Sequence, residues 1–318
     1  MISREEFRGY VDNLINDKDR SNLKSRRKIF SVMGIVLILA AVACLVVGLV
    51  KTFTDSSGVM GGINAFFWYF LAFGFFVIGF VLIMMKSSGL SKLAAKYKSD
   101  VIEKLLEGYD FSFDETACMP MNKFVDGKIV TIFDEYEGED LLVVNIPSLD
   151  GNATDVNFAI SDVKVQEVGH DSNGGETRRT LYNGSYGYIT FPKRFKCQLT
   201  LNRDNYRNGG YLDRVSLEDI MFSREFSVRT SDQVEARYIL TPDLMLRLLE
   251  LKKRAKKLGI VLDGRRMYIS MPQRTLFEAK HVKDTDLSSL YMRYYDDVEI
   301  LLSIINEIQQ NDKVFTLE

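Results

Sequence analysis

The sequence is short of the side chains on which most compact chemical sites are built. Its 318 residues contain three cysteines, Cys44, Cys118 and Cys197, and no two of them share a C-x-x-C spacing. That excludes a disulfide scaffold and a conventional zinc module. The two histidines, His170 and His281, stand far apart, so Ser-His-Asp, Cys-His and multi-histidine arrangements lack raw material. No glycine-rich phosphate loop with a following lysine occurs, and Gly169 to Gly187 has neither Walker nor dinucleotide spacing. Asp110-x-Ser112-x-Asp114 and Asp150-x-Asn152-x-Thr154 begin like calcium loops. Both lack glycine at the sixth position, and the twelfth is Met121 or Ser161 where glutamate is required. The sequence therefore implies no metal site, no cofactor and no catalytic constellation.

Charge is what two long stretches lack. The average is balanced, with 46% hydrophobic and 26% charged residues and a formal net charge of -2, yet Ile29 to Val50 and Ile63 to Met85 carry no charged residue at all. As a helix each would reach about 33 Å, enough to cross a bilayer. A cleaved signal peptide is the competing reading of the first stretch. It is disfavoured because a basic arm of 28 residues precedes that stretch and a second span follows at once.

Basic residues near a span end resist translocation. Arg20, Lys24, Arg26, Arg27 and Lys28 precede the first span and Lys86, Lys92, Lys96 and Lys98 follow the second, whereas only Lys51 borders the short loop between them. This asymmetry predicts a two-span hairpin with both termini cytoplasmic. Trp68 and Tyr69 sit at the outer end of the second span, where amphipathic rings favour the headgroup zone. Neither span contains Asp, Glu, Lys, Arg or His, which argues against an ion or proton pathway through them. Ala40, Cys44 and Gly48 form a small-residue stripe that suits packing against the second span or, alternatively, a homo-oligomer contact.

The pattern divides the chain into an amphipathic cytoplasmic arm (1–28), the transmembrane hairpin (29–85, spans 29–50 and 63–85), a stalk helix (86–109) and a cytoplasmic domain (110–318). In the arm, Ser3 and Glu6 have capping-box spacing, and Phe7, Tyr10, Val11, Leu14 and Ile15 predict a helix over 3–16. That helix is expected to pack on the chain's own cytoplasmic domain, with lipid or a partner as alternatives. Ser87-Ser88-Gly89 reads as a hinge, and Leu90 to Leu106 keep a helical period until Gly108.

Beyond residue 110 the pattern is α+β, a mostly antiparallel sheet followed by two long helices. Asp126-Gly127, Asn183-Gly184 and Asp263-Gly264 each stand between strand formers and predict hairpin turns. Leu141 to Ile146, Val156 to Val168, Phe195 to Leu201 and Phe226 to Arg229 read as further strands. Thr241-Pro242 opens one helix, and Asp284 to Gln310 form the other, with Leu287, Leu290, Tyr294, Val298, Leu301 and Ile305 on one face. Tyr182, Tyr186, Tyr188, Phe191 and Phe195 are expected to be strand-face core. Residues 101 to 163 hold 14 acidic against 3 basic residues, a surplus read here as a solvated face. Lys252, Lys253, Arg254, Lys256 and Lys257 complement a helix C-terminus and form the candidate contact for anionic lipid. Nucleic acid is disfavoured as a partner.

The segment from Phe226, FSVRTSDQVEARYILTPDLMLRLLEL, with MYISMP at 267–272 and LFEAK at 276–280, resembles an uncharacterised bacterial family, domain of unknown function 3137. The resemblance rests on Ser231, Asp232, Val234, Glu235, Ala236, Arg237, Tyr238, Leu240, Thr241 and Pro242. It implies a bacterial cytoplasmic (inner) membrane protein and transfers no catalytic residues; residues 110 to 180 match the family poorly. Asp232, Glu235 and Arg237 are the candidate ligand or partner site, with a structural latch as the plainer reading. The expected function is a membrane-anchored cytoplasmic interaction or scaffold domain with the bilayer and a protein as partners. The alternatives are an enzyme with a carboxylate-based site in that domain, or an accessory subunit of a membrane transport complex.

Overall fold

The computed structural model describes residues 1–14, 17–54, 59–85, 94–148, 155–171, 174–202, 212–278 and 287–316. The chain divides into two compact units. One contains Met1–Phe7, Ser99–Glu278 and Ser289–Glu318; the other contains Arg8–Lys98 and Ala279–Ser288.

The smaller unit is dominated by two long helices, α2 (Asp17–Thr54) and α3 (Val59–Met85). Within them Lys28–Phe53 and Phe66–Ile83 are long and apolar enough to cross a membrane. The two helices pack on a face of small residues. A Cβ on Gly48 would stand 3.0 Å from the Tyr69 ring, and Ala41 and Cys44 are buried on the same face. Cys44 and Gly48 of the predicted stripe thus line this contact. Gly34 extends the face by almost four turns and meets Gly79 of α3. At one end of the pair Thr52 donates to the Gly48 carbonyl at 2.8 Å and its hydroxyl lies 3.1 Å from that of Tyr69. The outward faces stay apolar: Leu39, Phe70 and Phe73 are 63%, 69% and 66% exposed. The predicted hinge at Ser87-Ser88-Gly89 lies outside the described residues. The later part of the predicted stalk is helical as α4 (Lys98–Leu105).

The larger unit is built on a nine-stranded antiparallel sheet. Its strands are β1 (Asp110–Asp114), β2 (Glu135–Ile146), β3 (Val156–His170), β4 (Glu176–Thr190), β5 (Leu199–Asn202), β6 (Asp213–Arg214), β7 (Ser227–Thr230), β8 (Gly259–Asp263) and β9 (Arg266–Pro272), in the spatial order β1-β2-β3-β4-β9-β8-β5-β7-β6. Besides α4 from Ser99 onward, the same unit contains α5 (Met121–Asp126), α6 (Ile220–Glu225), α7 (Gln233–Ile239) and α8 (Pro242–Ala255). The last helix, α9 (Leu287–Gln310), buries Leu290, Tyr294, Val298, Leu301 and Ile305 along one face, as its period requires. This is the expected α+β class.

One of the three predicted hairpins is present and two are not. Asp263 pairs with Arg266 across a two-residue loop in which Gly264 has φ +62°, so β8 and β9 form the hairpin expected there. Asp126 and Gly127 close α5 instead of a turn between strands. Lys123 donates its amide to the Pro120 carbonyl at 2.9 Å, and Phe124 is fully buried against the Tyr136, Tyr182 and Tyr186 rings. A Cβ on Gly127 would lie 2.1 Å from the Tyr186 hydroxyl, so this glycine serves close approach. Asn183 and Gly184 lie inside the continuous strand β4. There a Cβ on Gly184 would meet the Met271 carbonyl at 2.2 Å, and glycine inside a strand marks a close backbone neighbour.

The first seven residues belong to this unit. Ser3 Oγ accepts from the Glu6 amide at 3.2 Å, opening α1 (Arg4–Leu14) as its capping pattern predicts. Phe7 is fully buried with its ring centroid 5.2 Å from that of Tyr295, and the Tyr295 hydroxyl donates to the Ile2 carbonyl at 3.0 Å. Arg4 bridges to Asp296 at 3.0 Å.

Candidate functional site

Beyond Pro272 the chain leaves the sheet and doubles back across β4. Gln273 takes φ +66° at this corner. Its amide donates to the Asn183 carbonyl at 2.6 Å, and the Ser185 amide donates to the Arg274 carbonyl at 2.7 Å. Residues 273–278 thus form a strap over β4, and only a glycine at position 184 lets it pass so close. Phe277 anchors the far end of the strap. Its ring meets Phe113 and Tyr294 at centroid distances of 5.8 and 5.5 Å, and its carbonyl accepts from the Tyr294 hydroxyl at 2.8 Å.

Asp162 of β3 lies beneath the strap. Its side chain accepts from the Ser185 hydroxyl and from the Leu276 amide, which also donates to Ser185 Oγ at 2.9 Å. The residue is 6% exposed, and its second oxygen, Oδ2, has no hydrogen-bond partner among the described residues. A second carboxylate, Asp140, is buried close by, held at φ +62° where the β2–β3 register shifts between Glu139 and Leu142. Desolvation, reinforced by the charge of Asp140, pushes the Asp162 carboxyl up to about 7 against the favourable bond from Ser185. The same burial, with the nearby Tyr291, Asp140 and Asp162, holds the Tyr294 phenol far above its ordinary value.

A third buried acid closes the other side of the strap. Asp297 of α9 pairs with Arg274, whose guanidinium also donates to the Arg254 carbonyl. Burial raises the Asp297 carboxyl despite this cation. Neighbouring Asp296 collects Arg4 and Arg254, so strap, α8, α9 and the first residues of the chain share one charge network. Near Asp162, Ser161 accepts from the Met119 amide at 3.1 Å while Tyr136 donates to the Met119 carbonyl at 2.7 Å. Burial lifts the thiol of adjacent Cys118 above its usual range. No group of three or more metal-ligating side chains occurs among the described residues.

The residues singled out from sequence are placed apart from this centre. Asp232 is the N-cap of α7, its Oδ1 accepting from the Val234 and Glu235 amides at 2.8 and 3.1 Å. Glu235 faces Lys196 at 3.6 Å instead of Arg237, whose guanidinium donates to the carbonyls of Gln233 and Ser216. The three side chains therefore serve three separate local contacts. The basic run is split in the same way. Lys252 is buried with its ammonium 5.7 Å from the Phe226 ring centroid, and Arg254 pairs with Glu250 and Asp296, leaving Lys253, Lys256 and Lys257 exposed.

Sequence reasoning did not find Asp162. The available signal was a charged residue inside the apolar strand Phe158-Ala-Ile-Ser-Asp-Val163, where ionised side chains are rarely buried without a partner.

Fold and site together define a mixed α+β protein with two apolar helices near its start and a strap-covered carboxylate in its sheet. Residues 180–310 match the model of the family described as Protein of unknown function (DUF3137), which supports the chain's membership of that family. The matched region contains most of β4, the strap and all of α9. Comparison with curated proteins gives no match. Among solved structures, the chain is similar to the crystal structure of the mycobacterial trehalose monomycolate transport factor A, TtfA, with 8% identity and a TM-score of 0.37 over 68% of this chain and 94% of that one. At that score the likeness carries no weight for fold or function.

Proposed function

We propose that this chain is a two-span protein of the bacterial cytoplasmic membrane, with both termini inside the cell and its α+β body acting as a noncatalytic interaction module at the inner face. The observation that carries this reading is the apolar outer surface of α2 and α3, where side chains such as Leu39, Phe70 and Phe73 are more than half exposed. A contiguous surface of this kind is costly in water and suits hydrocarbon. The basic residues flanking the two helices favour an inward orientation of both flanks. An even number of crossings also agrees with the packing of Phe7 on Tyr295, which keeps residues 1–7 on the same side as α9.

Membrane fractionation tests the anchor: the full-length chain stays in vesicles washed with alkaline carbonate, and its release would refute the proposal. Reporter fusions at Lys92 and in the loop at Asp55 test orientation, the first active only inside and the second only outside the cytoplasm. Crosslinking in cells followed by mass spectrometry tests the module: a reproducible protein partner depends on residues 110–318, and finding none across growth conditions would overturn that part.

A further inference from the structure

We infer that Asp162 is a proton-binding site that sets how tightly the body holds the strap at residues 273–278. The inference goes beyond the membrane reading and does not depend on it. Its basis is geometric. One oxygen of Asp162 holds both the Ser185 hydroxyl and the Leu276 amide, while the other is buried without a partner among the described residues. An ionised carboxylate with an orphaned oxygen is expensive to bury, whereas a protonated one costs far less. Among the described residues, none that acts on Asp162 is a compensating cation. Asp140 from β2 and Glu278 at the end of the strap oppose ionisation, and the neutral Tyr294 and Cys118 face the same centre from α9 and from the loop before α5. Arg274, the strap's own cation, is committed to Asp297.

The direction of the effect follows. In the closed state the carboxyl titrates near 7; with the strap lifted, water reaches the group and it returns to about 4. The closed state therefore binds the proton more tightly. Its advantage is complete below about pH 4, declines as pH rises through about 7, and stays flat above. Between pH 6 and pH 8 the opening equilibrium of the strap is expected to rise about tenfold.

Hydrogen exchange read by mass spectrometry on the full-length chain in detergent tests this. After correction for intrinsic exchange, peptides covering 273–278 should lose about tenfold in protection from pH 6 to pH 8, while peptides from α8 change little. Asp162→Asn should abolish the difference. A flat wild-type profile, or an Asp162→Asn chain that keeps the pH dependence, would overturn the proposal. Should that variant fail to fold, Asp140→Asn replaces it: removing the neighbouring charge should move the midpoint to lower pH, and an unmoved midpoint counts equally against the inference.

Discussion

Gly34 and Gly79 face each other across the helical pair, and a Cβ built on either would stand 3.0 Å from the carbonyl oxygen of the other. Backbones that approach this closely depend on the absence of both side chains. Gly79→Leu is expected to force α2 and α3 apart at a cost of about 1–3 kcal/mol. Gly74→Ala is the control, since nothing lies within 4 Å of its Cβ position. The single tryptophan, Trp68, lies in α3 beside Gly48, so thermal unfolding followed by its fluorescence in detergent should show a lower midpoint for the leucine variant alone.

Gly184→Ala tests the close pass of the strap. The new methyl would stand 2.2 Å from the Met271 carbonyl and 3.0 Å from the Gln273 amide nitrogen, both backbone atoms that cannot rotate away. The expected loss is about 1–3 kcal/mol, the usual cost of overpacking, measured by chemical denaturation. Near-UV circular dichroism should register displacement of the tyrosines around Ser185. An unchanged midpoint would mean that β9 and the strap stand further from β4 than described.

Asp232→Ala removes a helix cap and should cost about 1 kcal/mol. Glu235→Gln removes the 3.6 Å contact with partly exposed Lys196, and pairs of that kind are worth about 0–1 kcal/mol. The ranking separates a capping role from a ligand site. Were Glu235→Gln to abolish partner capture while Asp232→Ala left stability untouched, the capping account of this motif would be lost.

Phe7→Ala should release residues 1–7. Truncating a buried phenylalanine costs about 3–5 kcal/mol where the contact is global, and here the loss falls first on a short segment held by one aromatic contact, the Tyr295 bond and the Arg4–Asp296 bridge. Trypsin cleavage after Arg4 and Arg8 should become rapid in the variant while cleavage in the sheet stays slow. Equal rates in variant and wild type would show that the segment is not docked.

The helical pair, the α+β class and the terminal helices were legible because each depends on local pattern: uncharged runs of more than twenty residues, strand formers in alternation, and a Thr-Pro start. Asp263-Gly264 was legible for the same reason, because a two-residue turn is decided by the two residues in it. Asp126-Gly127 and Asn183-Gly184 carry the same signal and mean something else. In both, the glycine is required by an atom far away in sequence, the Tyr186 hydroxyl or the Met271 carbonyl. The strap centre was not legible at all. Asp162 and Ser185 are 23 residues apart, and the amide they share, at Leu276, lies 91 residues beyond Ser185. The Asp232, Glu235 and Arg237 motif was conspicuous in sequence, and its side chains meet a helix cap, a lysine and two carbonyls.

Arg4 and Asp296 stand 292 positions apart, which gives assembly an order. The opening residues leave the ribosome long before the helix that receives them exists, and the greasy pair of helices is synthesised in between. Closing so long a loop carries a large entropic cost that only the finished helix can offset. A nascent chain must therefore fasten its leading end last, so any chain released before α9 is complete would remain unlatched.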